Sequence, residues 1–299
     1  MNEDYNMGKT VCASCGSAEV DGIKLKECNA CKSVRYCSDA CQKNHHKSQH
    51  KEACKKRAAE LHDEILFKQP ESRHDGDCPI CCLPMPLDKQ KSFMMACCSK
   101  TICKGCFHAN QKREAKASLN SSCSFCRQPV PKKDELGKQR MKRIEANDPV
   151  VLCEEGIELY NKGDHQSALE YYTRATGLGN VEAHYQLAYM NRDGHGVEKD
   201  WRKYLRHLVV AAIGGHPTAR YNLGCIEWHN GNNERAAKHF IIAAKLGDDD
   251  SIKSLMDAYR GGFVSKDDLA TTLRAHQAAD DATKSPQREA AEEYYQNKD

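Results

Sequence analysis

The stretch between residues 78 and 126 reads C-P-I-C at 78–81, C-C at 97–98, C-K-G-C at 103–106 and C-S-F-C at 123–126. It therefore contains four pairs of cysteines. A gap of two residues lets both thiols of a pair face one metal ion, and thiolate sulfur is a preferred ligand of tetrahedral zinc. Eight such ligands predict two closed zinc sites. A closed site leaves no position for a reacting water molecule, so we expect these ions to stabilise the fold and not to perform catalysis.

The four pairs resemble those of the RING family of ubiquitin ligases, in which pairs one and three bind one zinc ion and pairs two and four bind the other. The resemblance places a RING-type finger, in an all-cysteine variant, at residues 77–131. It implies two ligand sets, which are Cys78, Cys81, Cys103 and Cys106 for the first ion and Cys97, Cys98, Cys123 and Cys126 for the second.

The adjacent cysteines of the second pair depart from the spacing that is usual in the family. We favour both Cys97 and Cys98 as ligands, because four residues separate Cys98 from Cys103, as in all-cysteine members of the family. Lys100 follows where a histidine often lies, and its charged ammonium cannot bind zinc. Two alternatives remain open: one of the two cysteines is a buried thiol, or His108 is a ligand instead.

The same resemblance implies two contacts with a ubiquitin-conjugating enzyme. Ile80 lies where the family places an apolar contact, and Arg127 lies where it places an arginine that bridges the enzyme and ubiquitin. A guanidinium suits that role because it donates several hydrogen bonds at once. Such ligases orient a bound thioester without a nucleophile of their own, so no catalytic residue is expected. Ser124 replaces the usual proline and no tryptophan lies between Cys106 and Cys123, which keeps a non-catalytic interaction scaffold as the alternative.

A second set of eight ligands precedes this segment. It reads C-A-S-C at 12–15, C-N-A-C at 28–31, Y-C-S-D-A-C at 36–41 and H-K-E-A-C at 50–54. The set resembles a MYND finger, a module that binds short, often proline-containing peptides. The resemblance implies Cys12, Cys15, Cys37 and Cys41 as ligands of one zinc ion, and Cys28, Cys31, His50 and Cys54 as ligands of another.

The histidine of this set needs a separate argument. His50 and Cys54 are one helical turn apart, so they share a helix face, as two ligands of one ion must. The interval from Cys41 to His50 is about one residue longer than is usual in the family and contains His45 and His46. We expect those two histidines to be solvated residues of a helix surface.

Eighteen cysteines in 299 residues would fit either a secreted disulfide scaffold or a set of metal sites. The first residues carry no basic region followed by an apolar run, so we expect no secretory signal, and no stretch has the apolar length to cross a membrane. We therefore expect the cytoplasm or the nucleus, where paired cysteines bind metal. Cys82, which has no partner in either pattern, is expected to be a packed or partly exposed thiol.

The basic residues do not predict a nucleic-acid-binding protein. Residues 1–150 contain 27 Lys and Arg against 19 Asp and Glu, but metal-bound thiolates would bring this half close to neutrality. The basic cluster at 138–143 has no interleaved aromatic residues for stacking on bases. The expected partners are proteins or peptides.

The sequence repeats itself after residue 151. A shift of 68 residues aligns Gly156 with Gly224 and Tyr172 with Phe240, and helical hairpins are predicted at 151–182, 183–218 and 219–250. The pairs Leu223-Gly224 and Gly196-Val197, with Ala-Ala-x-x-Gly at 211–215 and 243–247, resemble Sel-like repeats, a tetratricopeptide variant. Such hairpins stack into a solenoid whose concave surface suits a peptide or a partner helix.

We therefore predict a multidomain protein in which two small cross-brace zinc modules precede an all-α solenoid of helical hairpins. The predicted parts are a MYND finger at 12–54, a helical linker at 55–76, a RING-type finger at 77–131, a charged connector at 132–148, Sel-like repeats at 149–280, and a helix and tail at 281–299. The predicted function is a zinc-binding adaptor with four zinc ions and RING-type ubiquitin-protein ligase activity, which recruits substrates through the MYND finger and the repeats. Chelation is expected to unfold residues 12–127 and to leave the repeats helical, because zinc supplies the folding free energy of small zinc modules.

Overall fold

The computed structural model describes residues 11–19 and 24–297, apart from the side chains of residues 133 and 134. The chain divides into two compact units, Met1–Lys68 and Gln69–Asp299. The first unit is a zinc-finger module, and the second contains a mostly helical repeat region. In the described part of the chain, no helix combines the length and the apolar character that a membrane span requires.

The first unit is built around cysteines. Strand β1 (Lys26–Glu27) pairs antiparallel with β2 (Arg35–Tyr36). Helix α1 (Asp39–His45) starts at Ser38, whose side chain accepts a hydrogen bond from the third residue of the helix, as an N-cap residue does. A single π-helical turn (His46–His50) and helix α2 (Lys51–Leu66) follow without a break. The predicted linker helix is therefore continuous with the last ligands of the finger.

The second unit begins with a second cysteine segment, which we define as residues 78–126. Strand β3 (Ser92–Met95) pairs antiparallel with β4 (Lys100–Cys103), and helix α3 (Lys104–Lys116) follows directly. The sulfur of Cys103 accepts a hydrogen bond from the backbone N–H of Cys106 and so caps α3. Helix α3 therefore starts at the third cysteine pair. Helix α4 (Lys133–Glu145) connects this segment to the repeats.

Four helical hairpins form the repeat region. They are α5 (Pro149–Asn161) with α6 (His165–Gly177), α7 (Val181–Asp193) with α8 (Trp201–Ile213), α9 (Pro217–His229) with α10 (Asn233–Lys245), and α11 (Asp249–Arg260) with α12 (Lys266–Ala282). Each of the three predicted hairpins begins two residues earlier than expected, because a side chain just before the helix caps its first turn, as Asp148 does for α5. Prolines at the first helical position of α5 and α9 suit such starts.

The repeated glycines lie against the repeated aromatic residues. A Cβ atom on Gly156 would be 2.6 Å from the ring of Tyr172, and one on Gly224 would be 2.5 Å from the ring of Phe240. Real Cβ atoms do not approach so closely, so the two helices of each hairpin can pack at this distance only because no side chain is present.

Helix α13 (Pro286–Gln296) follows the last hairpin and packs against α3 of the second cysteine segment. The sequence predicted a short helix and a polar tail in this region. The helix is present, but its partner lies about 180 residues earlier in the chain, as the hydrogen bond between Tyr295 and Gln111 illustrates. The last two residues of the predicted tail lie outside the described residues.

Candidate metal centres

The structure brings the expected ligands together in four groups of four. Within each group, the sulfur and nitrogen ligand atoms all lie within 4.8 Å of one another. The groups are Cys12, Cys15, Cys37 and Cys41; Cys28, Cys31, His50 and Cys54; Cys78, Cys81, Cys103 and Cys106; and Cys97, Cys98, Cys123 and Cys126. In both segments the first pair of cysteines groups with the third and the second pair with the fourth, which is an interleaved arrangement.

The distances between ligand atoms fit a zinc ion. The Sγ atoms of Cys28 and Cys54 are 3.7 Å apart, and those of Cys81 and Cys103 are 3.8 Å apart. A tetrahedron with Zn–S bonds of about 2.3 Å has edges of about 3.8 Å, whereas a disulfide needs about 2.05 Å. All the cysteines are free thiols. Four thiolates, or three thiolates and an imidazole, are donor sets that zinc prefers.

Cys97 and Cys98 lie in the turn between β3 and β4. The backbone N–H of Ser99 donates a hydrogen bond to the carbonyl of Met95, 2.8 Å away, and this bond closes the turn. In a strand, adjacent side chains point to opposite faces, but a tight turn lets them converge. The adjacency of these two cysteines is therefore compatible with one shared metal ion.

Both cysteines of the turn approach the last pair of the segment. The Sγ atom of Cys97 is 3.3 Å from that of Cys126, and the Sγ atom of Cys98 is 3.9 Å from that of Cys123. His108, the alternative ligand, belongs to none of the groups, and its ring instead packs against the aromatic rings of α13.

Four of the C-x-x-C pairs begin turns in which the carbonyl of the first cysteine accepts a hydrogen bond from the N–H of the residue four positions later, and we call these turns knuckles. In one of them, the N–H of Cys82 donates to the carbonyl of Cys78 at 2.8 Å, and the N–H of Cys78 donates to the carbonyl of Leu83 at 2.9 Å. The residue four positions after the first cysteine has a positive φ in every knuckle; these residues are Gly16, Lys32, Cys82 and Arg127, with φ of 75°, 55°, 55° and 62°. Cys82 is thus an exposed turn residue outside the ligand groups.

The knuckles also stabilise the thiolate form of their first cysteine. A hydrogen bond from Cys103, with further bonds from backbone N–H groups, outweighs burial and lowers the pKa of Cys78 to about 4. Burial raises the pKa of Cys12 and Cys123, but backbone N–H groups outweigh it and lower these pKa values to about 6 and about 7. Because zinc binds the thiolate, the hydrogen bonds from backbone N–H groups favour the ligand form of these three cysteines.

The π-helical turn places the histidine ligand of the first unit. Nε2 of His50 lies 3.2 Å from Sγ of Cys31. A π-helical turn accommodates one extra residue inside a helix, which matches the interval before His50 that is one residue longer than expected. His45, predicted to be solvated, is instead half-buried and shares a hydrogen bond of 3.1 Å with the hydroxyl of Tyr36.

The two expected partner-binding residues lie on knuckles. Ile80 is 37% exposed, and Phe125 occupies the same position of the last knuckle and is 40% exposed. Only Ile80 was singled out from the sequence, although the third residue of C-S-F-C carried the same signal. Arg127 is exposed, and its guanidinium donates a hydrogen bond to Oδ1 of Asn110, a buried residue of α3.

A fifth group, His74, Glu182 and His216, contains ligand-type atoms but does not suit a metal ion. Nε2 of each imidazole lies 3.4 Å from Oε2 of Glu182. The N–H of Ala219 donates to Nδ1 of His216 at 3.2 Å, so the proton of this neutral imidazole is on Nε2, which has no lone pair to offer. Burial raises the pKa of Glu182, but the hydrogen bonds from His216 and His74 hold it well below its ordinary value. The two imidazoles and the carboxylate therefore form a hydrogen-bonded structural group and not a metal site.

The stacking of the two rings supports this interpretation. The imidazoles of His74 and His216 are 4.4 Å apart between centroids and inclined by only 9°. A metal ion bound to an imidazole lies in the plane of the ring, and an ion cannot lie in two parallel planes at once.

Comparisons with known proteins agree with the geometry of the first unit. Residues 12–54 match the model of the MYND finger family, and no curated protein matches the chain. The RING-type finger predicted at 77–131 is not confirmed by the family comparison.

Two solved structures are similar to part of the chain. One is c5321, a protective antigen that displays an SLR fold and is present in uropathogenic Escherichia coli strains. It is 26% identical over 49% of this chain and 33% of that protein, with a TM-score of 0.41. The other is a Sel1 repeat protein from Oxalobacter formigenes, at 23% identity over 60% of this chain and 71% of that one, with a TM-score of 0.41. The chain thus matches about a third of the length of the first of them. The family match itself is limited to the first unit, and residues 12–54 of this chain are a MYND finger.

Proposed function

We propose that the protein is a zinc-dependent adaptor with RING-type ubiquitin-protein ligase activity. In this proposal, the chain binds four zinc ions, the MYND finger and the repeats recruit substrate proteins, and the second cysteine segment binds a ubiquitin-conjugating enzyme. A reducing compartment, the cytoplasm or the nucleus, keeps the thiols available for zinc.

The proposal rests on a feature that two knuckles of the second cysteine segment share. The first and last C-x-x-C pairs of the second cysteine segment belong to different ligand groups, and each exposes one apolar side chain at its third position, Ile80 and Phe125. Exposed apolar side chains on a rigid, metal-held turn lose little conformational entropy when a partner covers them. They therefore suit a docking surface for a folded protein.

Arg127 would act at a later step. It follows the last ligand directly, and its guanidinium is free to change partners because the side chain is exposed, although it now bonds to Asn110. A guanidinium that bridges ubiquitin and the conjugating enzyme would favour the reactive arrangement of the thioester over other arrangements. It would therefore affect the rate of transfer more than the affinity for the enzyme.

The same hydrogen bond supports a second candidate function. If Asn110 holds Arg127 permanently, the second cysteine segment is a structural support, and the protein is a non-catalytic scaffold that binds its partners through the MYND finger and the repeats. The two candidates differ in one measurable property, the discharge of a ubiquitin thioester.

A thioester-discharge assay with a panel of conjugating enzymes tests the proposal. Ile80→Ala and Phe125→Ala are expected to weaken binding of the enzyme roughly tenfold to a hundredfold, which is about 1–3 kcal/mol for an apolar hot-spot contact. Leu119→Ala is the matched control, because Leu119 is an exposed apolar residue, at 53%, that lies on no knuckle.

The arginine has its own control. Arg127→Ala is expected to slow thioester discharge while the affinity for the enzyme changes little. Arg113→Ala should leave discharge unchanged, since Arg113 donates to the same Oδ1 atom of Asn110, at 3.0 Å, but does not follow a ligand. If the wild-type protein discharges no thioester, or if both arginine variants behave alike, the scaffold takes the place of the ligase. Elemental analysis checks the metal separately, with four zinc ions per chain expected.

A further inference from the structure

Arg288 on α13 contacts Cys81, a member of the first ligand group of the second cysteine segment that lies 207 residues earlier in the chain. Arg288 as a whole is 6% exposed. Nη1 donates hydrogen bonds to the carbonyls of Pro84 and Thr283 at 2.8 and 2.7 Å, and Nη2 donates to the carbonyl of Leu83 at 3.2 Å and to Sγ of Cys81 at 3.4 Å. One guanidinium thus binds both a ligand sulfur and the backbone of the knuckle that carries it.

The approach of α13 depends on a glycine of α3. A Cβ atom on Gly105 would be 2.9 Å from the Cα atom of Arg288, so any side chain there would push the helix away. The carbonyl of Gly105 also accepts a hydrogen bond from the side chain of Gln287 at 3.3 Å. The glycine lies between Cys103 and Cys106, inside the third cysteine pair, so the arginine is held against the ligand group from two sides.

Further contacts fix α13 independently of the arginine. Glu292 forms an ion pair of 2.8 Å with Lys91, and the ring of Tyr294 packs in a tilted arrangement against His108, at 4.4 Å between centroids. The ammonium of Lys104 lies 4.6 Å from the ring centroid of Tyr295. The helix therefore has its own anchors, and Arg288 can be changed without removing all of them.

The chemistry of the group explains why a buried cation suits this position. Four thiolates around one Zn²⁺ carry a net charge of −2, which is costly to bury without compensation. A guanidinium offsets part of this charge, and an N–H donor withdraws electron density from the sulfur that it contacts. Both effects favour the zinc-bound thiolates over free, protonated thiols.

We propose that Arg288 is a positioning residue for a zinc ion bound by Cys78, Cys81, Cys103 and Cys106, and that α13 is a built-in part of this zinc site. The inference rests on the zinc assignment made under the proposed function. It adds that the metal affinity of the second cysteine segment depends on a helix that follows the repeats. The segment excised at residue 131 would therefore bind zinc less tightly than the full chain.

Two measurements on the full-length protein test the inference. The first is the rate at which zinc passes to the chromogenic chelator 4-(2-pyridylazo)resorcinol. The loss of an outer partner of a metal ligand typically weakens metal affinity by about 10- to 100-fold. We expect this loss to appear in the release rate, so Arg288→Gln should release one of the four zinc ions about 10- to 100-fold faster. Arg288→Lys, which keeps the charge but cannot reproduce four divergent hydrogen bonds, is expected to lie between Arg288→Gln and the wild type.

The second measurement is the sulfur-to-cobalt charge-transfer band of the protein loaded with Co²⁺ in place of zinc. Loss of an N–H donor makes the thiolates easier to oxidise, so Arg288→Gln is expected to move the part of the band that belongs to this site to longer wavelength. Glu292→Gln is the control for helix docking, because it breaks the ion pair with Lys91 and leaves the guanidinium in place. Arg274→Gln is the control for the loss of an exposed arginine.

The possible outcomes distinguish a failure of the zinc assignment from a failure of the inference about Arg288. If the wild-type protein contains four zinc ions but Arg288→Gln releases them at the wild-type rate, the inference about Arg288 is wrong and the zinc assignment stands. If Glu292→Gln shifts the cobalt band as much as Arg288→Gln does, helix docking and not the guanidinium is responsible, and the inference is again wrong. If the wild-type protein contains only two zinc ions, both the assignment and the inference fail.

Discussion

Arg143 on α4 donates a hydrogen bond from Nη2 to the carbonyl oxygen of Cys97, 2.6 Å away, and its Nη1 lies 3.8 Å from Oδ2 of Asp148. Asp148 is the N-cap residue of α5, the first helix of the repeats. A single side chain therefore connects a ligand of the second cysteine segment to the start of the first hairpin. Met94 on β3 adds an apolar contact with the core of that hairpin.

This connection predicts that chelation affects the first hairpin as well as the cysteine segments. We expect backbone amides of α5 and α6 to exchange hydrogen faster after zinc is removed, while those of α11 and α12 change little, because stability in a repeat array depends on nearest neighbours. Hydrogen-exchange mass spectrometry of the full chain measures this directly. From the sequence alone, the repeats were expected to be independent of zinc.

The variant Arg143→Gln tests whether the side chain carries the coupling. It should reduce the difference in hydrogen exchange between zinc-loaded and chelated protein in α5. Lys162→Gln serves as the control, because Lys162 is an exposed residue of the same hairpin that pairs with Glu158 of α5. Equal exchange in α5 with and without zinc in the wild-type protein would contradict the coupling.

The π-helical turn His46–His50 leads to a prediction about chain length. Removal of Lys47 should convert the turn into ordinary α-helix and keep His50 beside Cys31, because a π turn holds one residue more than an α turn at nearly the same helix phase. Removal of both Lys47 and Ser48 should rotate His50 by about 100° away from the ligand group. We expect the single deletion to retain all zinc and the double deletion to lose one ion, as measured by elemental analysis. Equal zinc content in the two deletion variants would show that the turn does not set the position of His50.

A pair of histidines in the repeats predicts a dependence of stability on pH. Nδ1 of His184 and Nδ1 of His207 are 3.0 Å apart, and burial, helped by the charge of the neighbouring His184, lowers the pKa of His207 to about 4. The unfolded chain binds a proton at this residue near pH 6.5, and the folded chain does not. The contribution of neutral His207 to folding is therefore present above about pH 6.5 and is lost as the pH falls from about 6.5 towards 4.

The variant His207→Gln should remove this part of the pH dependence. We expect its urea midpoint to fall less than that of the wild type between pH 7 and pH 5. Zinc loss at acid pH affects both proteins alike, so the difference between them isolates the histidine. His229→Gln, a change at an exposed histidine of the next hairpin, should follow the wild type; if His207→Gln does so too, the assignment is wrong.

The spacing of cysteines and histidine predicts the ligand groups because each ligand pair is a local feature. A knuckle is closed by hydrogen bonds between residues four to six positions apart, such as those of Cys78, and its geometry depends on few neighbours. The same holds for the hairpin lengths, since the longer second hairpin contains the extra residues of the loop between α7 and α8. Whether each group binds zinc stays a prediction.

The contacts of Arg288 and Arg143 could not be predicted in this way. Each joins residues far apart in the chain, and each depends on the shape of two surfaces that the spacing of residues does not describe. Gly105 is the clearest example. The sequence shows only a small residue between two cysteines, but in the structure α13 can pack against α3 at this position because the glycine has no side chain.

The glycines of the repeats provide the last prediction. Gly156 on α5 would place a Cβ atom 2.6 Å from the ring of Tyr172, a fully packed residue that is 1% exposed, whereas a Cβ atom on Gly177 would meet nothing within 4 Å. Gly156→Ala should therefore destabilise the protein by about 1–3 kcal/mol, as overpacking of a core does. Gly177→Ala, on the partner helix α6, should be neutral or stabilise by up to about 1 kcal/mol, because alanine is the better helix former. Urea unfolding followed by far-UV circular dichroism measures both.

Tyr172→Leu, which removes the ring, should destabilise the protein when it is the only change. In combination with Gly156→Ala it should relieve the close contact, so the double variant should be more stable than the sum of the single changes predicts. Strict additivity would mean that the glycine is required for some reason other than the close approach of this ring.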